Sequence, residues 1–175
     1  GKRSARRCET RNKEEEQTIK KNLLMYGVPG KEFHEFLKAR YPSGQWGLWW
    51  AESRPFETEL SQRLNAFTAG GYETVVIGDN MMGFCIARKK VHAVFVFYQH
   101  VINEHACCQG GGLLIAVLAK KLGVTCSLYP TDFDPEKAVV GDGLCFAGGD
   151  ITPPGAKSYI PRVERVALSY FKERW

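Results

Sequence analysis

The 175-residue chain has no apolar run near the ~18 residues a membrane span requires, and no signal peptide is visible. A spanning or secreted protein is therefore not expected, and a cytoplasmic location is. The six cysteines (Cys8, Cys85, Cys107, Cys108, Cys126 and Cys145) include no C-x-x-C pair and no zinc spacing. No metal centre is expected, and reduced thiols are. No cofactor is expected either. Internal repeats and low-complexity segments are missing, which leaves an ordinary globular chain. Its 44% hydrophobic and 25% charged residues are those of a soluble domain, and its length is ample for a single core.

A net excess of either charge is small outside the first 22 residues. That segment holds eight Lys/Arg (Lys2, Arg3, Arg6, Arg7, Arg11, Lys13, Lys20 and Lys21) against four Glu, most of the total of +5. The remainder is near +1. Residues 1–22 are read as a basic arm and 23–175 as one α/β domain. The arm could contact nucleic acid. An amphipathic helix over Asn12–Asn22, with Glu14-Glu15-Glu16 set against Lys20-Lys21, is preferred, because no aromatic residues are interleaved.

What the chain does have is a run of apolar strands. Thr74–Ile77 ends in Gly78-Asp79-Asn80, Ala93–Tyr98 is apolar throughout, and Val124–Tyr129 is a third. Gly110-Gly111-Gly112 opens a helix over Leu113–Leu122. Earlier elements are strands at Leu23–Val28 and Trp46–Ala51 and helices at Glu32–Arg40 and Phe56–Ala69. A helix is predicted from Asp79, as N-cap, to Arg88, and another closes the chain over Pro161–Arg174. Continuous apolar strands separated by helices predict a mainly parallel sheet covered on both faces, a Rossmann-like three-layer sandwich. Ligands of such sheets sit beyond the carboxyl ends of the strands.

Five segments carry a resemblance. I-G-D-N-M-M-G-F (77–84), V-H-A-V-F-V-F-Y-Q-H-V-I-N (91–103), the helix beginning G-G-G (110–125), W-W-A-E-S-R-P (49–55) and G-D-I-T-P-P-G-A-K-S-Y-I-P (149–161) occur in order, with Y-P-T-D-F-D at 129–134. Together they resemble the C-terminal domain of the methylthioribose-1-phosphate isomerase family, which includes the α, β and δ subunits of translation initiation factor 2B and the ribose-1,5-bisphosphate isomerases. The resemblance implies the fold, and a dimer with itself or a paralogue.

It does not carry the chemistry. Gln99 stands where the family's acid/base Asp would be, and an amide cannot exchange a proton near neutral pH. Cys108 and Gln109 replace the Asn and Lys that hold substrate. The stretch Leu23–Gly30, where the catalytic Cys belongs, has none. The implied function is a non-catalytic binding protein with a regulatory or assembly role and a phosphorylated small ligand. The alternative is an enzyme with a remodelled site acting on a sugar phosphate or nucleotide. A dimer is expected through the helices after Asp79 and Gly112, using Met81, Met82, Phe84, Leu113 and Leu114.

The strand ends should gather Glu52, Arg54, Asp79, Asn80, Gln99, His100, His105, Asp132 and Asp134. Glu52 with Arg54 faces a ligand or forms a structural ion pair. His100 and His105 are acid/base candidates. Cys107-Cys108, just before a helix start, is where a thiolate is favoured. Gln109, Gly110, Gly111 and Gly112 offer free N–H groups to an anion, or the glycines serve close packing.

Overall fold

A computed structural model describes residues 20–139, 145–146 and 149–175. The strands are β1 (Lys21–Tyr26), β2 (Trp46–Ala51), β3 (Thr74–Ile77), β4 (Ala93–Ile102), β5 (His105–Gln109), β6 (Thr125–Pro130), β7 (Cys145–Phe146), β8 (Gly149–Asp150), β9 (Val163–Ala167) and β10 (Glu173–Arg174). The helices are α1 (Phe33–Arg40), α2 (Glu57–Ala69), α3 (Met82–Ala87) and α4 (Gly112–Lys121). Strands β10-β6-β4-β1-β2-β3 pair in that order and are all parallel. The chain moves outward from β1 to β3, then returns to the other side of β1 as β4. The gap between β1 and β4 is thus the topological switch point.

Side-chain alternation divides the core into two layers. Leu23, Met25, Trp50, Phe95 and Phe97 meet Phe33, Leu60 and Phe67 of α1 and α2. Leu24, Tyr26, Val94, Val96 and Leu128 meet Met82, Ile86, Ile115 and Ala119 of α3 and α4. The first layer is aromatic. The Phe33 ring lies 4.8 Å from Phe97, 5.5 Å from Phe95 and 6.3 Å from Trp50, edge-on to each. Strands apolar on both sides therefore form the covered parallel sheet that the sequence predicts.

Beyond Tyr98, β4 continues as one arm of a hairpin whose other arm is β5. The two-residue turn, Asn103-Glu104, has φ of 49° and 59°, the left-handed pair that matches hairpin twist. A bulge interrupts the pairing between Tyr98 and His100, leaving Gln99 out of register.

Four expectations are corrected. The closing segment is not a helix: Val163–Ala167 pairs along the free edge of β5 as β9, and Glu173–Arg174 extends the sheet beside β6. A strand edge needing backbone partners outweighed the helical spacing of its apolar residues. Most of the helix read at Asn12–Asn22 lies outside the described residues, but Lys21 and Asn22 belong to β1. Asp79 does not cap α3: it sits in a short 3-10 turn before that helix and makes no cap hydrogen bond. Met82 is in the core, fully buried, and is not part of an exposed face. Among the described residues no helix is long and apolar enough to cross a membrane.

Phe33→Ala should cost about 3–5 kcal/mol, because six aromatic rings lose their common neighbour. Urea denaturation of the variant checks this, and a loss below ~1 kcal/mol would mean that this layer is not tightly packed.

Candidate functional site

The carboxyl ends of the strands converge on one turn. After β2 the chain enters Glu52-Ser53-Arg54-Pro55, with Ser53 in the left-handed region (φ 58°) and a cis bond at Arg54–Pro55. Ser53 is fully buried. Its Oγ donates to the Ala51 carbonyl at 3.0 Å and accepts from Gly27 N–H, past the end of β1, at 3.0 Å. The Ser53 and Arg54 N–H groups donate to the two carboxylate oxygens of Asp79 at 2.8 and 2.9 Å. Gln109, at the end of β5, donates from Nε2 to the Ser53 carbonyl at 2.9 Å. Burial raises the Asp79 carboxyl above the usual carboxylate range, while its two backbone donors pull the other way.

Glu52 and Arg54 form the ion pair that the sequence left open. Arg54 Nε lies 3.0 Å from Glu52 Oε1 and 3.6 Å from Glu57 Oε1. The Asn80 side chain folds back on Gly78, where a Cβ would lie 2.9 Å from Asn80 Oδ1.

The Gly-rich start of α4 stands next to this turn, and two of its N–H groups are taken by a carboxylate of the chain itself. Glu164 Oε1, from β9, accepts from Gly111 N–H at 2.7 Å and Leu113 N–H at 2.8 Å. The free anion cradle expected there is therefore filled by the chain's own carboxylate, which also suits the positive end of the helix. Close packing explains the three glycines. Gly111 has φ 106°, and a Cβ on it would lie 1.9 Å from the Tyr26 hydroxyl, which donates to the Gly110 carbonyl. Cβ atoms on Gly110 and Gly112 would strike the Pro161 carbonyl at 2.3 Å and Cys108 Cβ at 2.9 Å.

Gln99 and His100 lie apart from this turn, at a cavity of about 260 Å³ shared with Asp132, Asp134, Glu136 and Lys137. Arg63 neutralises Asp132 in an ion pair of 2.5 Å. Gln99 Oε1 is buried with no partner among the described residues. His100 is exposed, and His105 Nδ1 lies 2.6 Å from the Asn103 carbonyl in the hairpin turn.

The thiolate reading is corrected. Cys108 is a fully buried strand residue of β5 rather than a helix-start residue, and burial pushes its thiol far up, as it does more mildly for Cys107. Cys85 and Cys126 are small core residues.

Thus the fold brings Glu52, Arg54, Asp79 and Gln109 together and sets Gly110–Gly112 beside them. Gln99 and His100 go to a separate cavity, and His105 and Cys108 are left out. Sequence reasoning missed Ser53, Tyr26 and Glu164. The E-S-R-P motif pointed to the first, and nothing local marks the other two.

No protein-family model matches the chain, and no curated protein matches it by sequence. The fold does match solved structures. It is similar to the δ subunit of translation initiation factor eIF-2B from A. fulgidus, with a TM-score of 0.70 at 16% identity over 89% of this chain and 52% of that one. It is also similar to 5-methylthioribose 1-phosphate isomerase from Pyrococcus horikoshii OT3, with a TM-score of 0.71 at 17% identity over 91% of this chain and 50% of that one. The tetrameric eIF2B-beta2-delta2 complex from C. thermophilum matches at a TM-score of 0.59 and 11% identity, over 94% of this chain and 52% of that one. The chain spans about half the length of these proteins. Likeness at such identity establishes the fold, and it is the Rossmann-like fold that the sequence resemblance implied.

Gly111→Ala should destabilise the protein by about 2–5 kcal/mol, combining a left-handed backbone with a clash against Tyr26. Gly123→Ala, also at positive φ but with nothing within 4 Å, should cost only about 1–2 kcal/mol. Thermal denaturation of both, with Tyr26→Phe added to each, separates the two effects. Relief by Tyr26→Phe in the Gly123 background as well would contradict the contact.

Proposed function

We propose that this chain acts by binding, as a non-catalytic protein of the initiation-factor-2B and isomerase type with a regulatory or assembly role. The observation that carries this is the self-satisfied crevice: Glu164 takes the α4 N–H groups and Gln109 takes the Ser53 carbonyl. In the family, that region holds a phosphorylated substrate. Here two of the N–H groups that would grip an anion already have a carboxylate partner, and the neighbouring cavity holds three carboxylates, with Asp132 paired to Arg63 and Asp134 to Lys137. A phosphorylated ligand is therefore not part of the reading.

Gln99, in the acid/base position, has no proton to exchange, and β1 runs into Tyr26-Gly27-Val28 with no nucleophilic cysteine. The remodelled-enzyme reading depends on His100 at the cavity mouth, and its ring makes no hydrogen bond among the described residues. An acid/base group without an orienting partner is weak support for catalysis.

Binding needs a surface, and α3 and α4 supply one. Met81, in the turn before α3, Phe84 of α3 and Leu114 and Val117 of α4 are 49%, 58%, 53% and 40% exposed, and the two helices pack on each other. Exposed apolar side chains on neighbouring helices suit a protein partner. We infer a second copy or a paralogue, in keeping with the assembled state of the C. thermophilum complex.

No turnover of methylthioribose-1-phosphate is expected in a coupled isomerase assay, since one lost acid/base group alone removes ~10²–10⁴-fold. Activity near that of a genuine isomerase would overturn the reading. The chain should sediment as a dimer at tens of micromolar, burying ~1,200–2,000 Å². Phe84→Glu with Leu114→Glu should give monomers that keep the wild-type fold by circular dichroism. A wild-type monomer would remove the α3–α4 face from the argument.

A further inference from the structure

Lysines gather at the end of the sheet opposite the crevice. Asp132, Asp134 and Glu136 follow the carboxyl end of β6. The amino ends of the three adjacent strands β6, β4 and β1 are basic. Leu23 pairs with Ala93, and Ala93 with Thr125, so the segments leading into these strands lie side by side at about 4.8 Å per strand. They bring Lys20 and Lys21, Lys89 and Lys90, and the α4 terminus with Lys120 and Lys121 to one face.

Five of the six are exposed, and Lys20 meets Glu73 at 3.2 Å. None of the other five pairs with a carboxylate among the described residues. Compensation of the helix dipole accounts for Lys120 and Lys121 but not for the pair leading into β1. Beside the lysines lies a shallow depression of about 320 Å³ containing Tyr170, with Lys120 Nζ 5.1 Å above its ring.

We propose that this face binds the phosphate backbone of single-stranded nucleic acid, with Tyr170 as a platform on which a base stacks. Unpaired lysines act as point charges suited to phosphate, and an aromatic ring among them is the arrangement single strands use. An acidic peptide would need pockets for its side chains, and a phosphate backbone does not.

The test is fluorescence anisotropy of the full chain with labelled 20-nucleotide single-stranded RNA, single-stranded DNA and duplex DNA across a salt series. Both single strands should bind, with affinity falling as salt rises. Lys89→Gln with Lys90→Gln and Lys121→Gln should lower the log–log salt slope by about 2, since each phosphate contact to a single strand contributes ~0.7. Tyr170→Ala should weaken single-strand binding about five-fold or more and leave duplex binding unchanged. Equal binding of RNA and DNA, or a preference for RNA, supports the proposal.

An unchanged slope in the lysine variant would overturn it. So would polyglutamate competing as well as the oligonucleotide, which would assign the face to an acidic protein. If Arg6→Gln with Arg7→Gln and Arg11→Gln abolishes binding while the lysine variant retains it, the amino-terminal segment alone is the site and the proposal fails.

Discussion

The turn at Ser53 is the constraint on which the carboxyl end of the sheet depends. Three strand ends are tied to it: the end of β1 through Gly27, the end of β3 through Asp79 and the end of β5 through Gln109. Each tie satisfies a buried polar group that would otherwise cost about 1–3 kcal/mol. Ser53 is fully buried and left-handed, so its conformation is imposed by these partners rather than by the local preference of serine. Removing one partner would expose the unmet needs of the others, which makes the ends of β1, β2, β3 and β5 one cooperative unit.

A second tie binds the end of the chain into the same unit. Glu164 reaches α4 from β9, and Gly110 N–H donates to the Arg162 carbonyl at 3.0 Å. Strand β9 covers the edge of β5, and β10 adds to the edge of β6. The last fifteen residues therefore act as the closure of the sheet. Without them β5 would present an open edge and α4 would begin with unmet donors beside a buried tyrosine.

How much of this was legible follows from where each signal resides. Strands β2 and β3 could be read residue for residue, because short runs rich in Trp, Val, Ile and Leu, stopped by charged residues or Gly, are too short for a helix and suit a strand. The aromatic layer was legible as helix-spaced Phe33, Phe36 and Leu37, though not its partners, since the alternation along β1 and β4 is hidden when both faces are apolar. Residues 163–170 failed for the opposite reason. Val163, Val166 and Ala167 fit a helical period, and only the waiting edge of β5 makes them a strand. The Asn103-Glu104 hairpin escaped because Glu is a poor left-handed residue and hides the turn that Asn suggests. Cys108 was misplaced with it, and so took on the character of a helix-start thiol when it is a core residue. At the site, the E-S-R-P and G-G-G motifs marked the right places, but their partners Glu164 and Gln109 lie more than fifty residues away in sequence and leave no local trace.

The two core layers explain how such a fold can persist while the chemistry at its strand ends changes. Phe33, Trp50 and Phe97 on one side and Leu24, Val96 and Ile115 on the other hold the sheet without using any residue of the crevice. Residues beyond the strand ends are then free to vary, provided that every buried donor and acceptor there finds a partner. Gln109 meets that condition as a lysine could not without a carboxylate at hand: it is 3% exposed, and its amide reaches the Ser53 carbonyl as a neutral donor. The helix start meets it with Glu164 in place of a bound anion. Gln109 Oε1 is the exception, buried with no partner among the described residues. A crevice so nearly closed on itself leaves little chemistry to offer a ligand. Exposed apolar side chains on α3 and α4 and exposed lysines at the amino end of the sheet lie outside it, which is where the proposed binding is set.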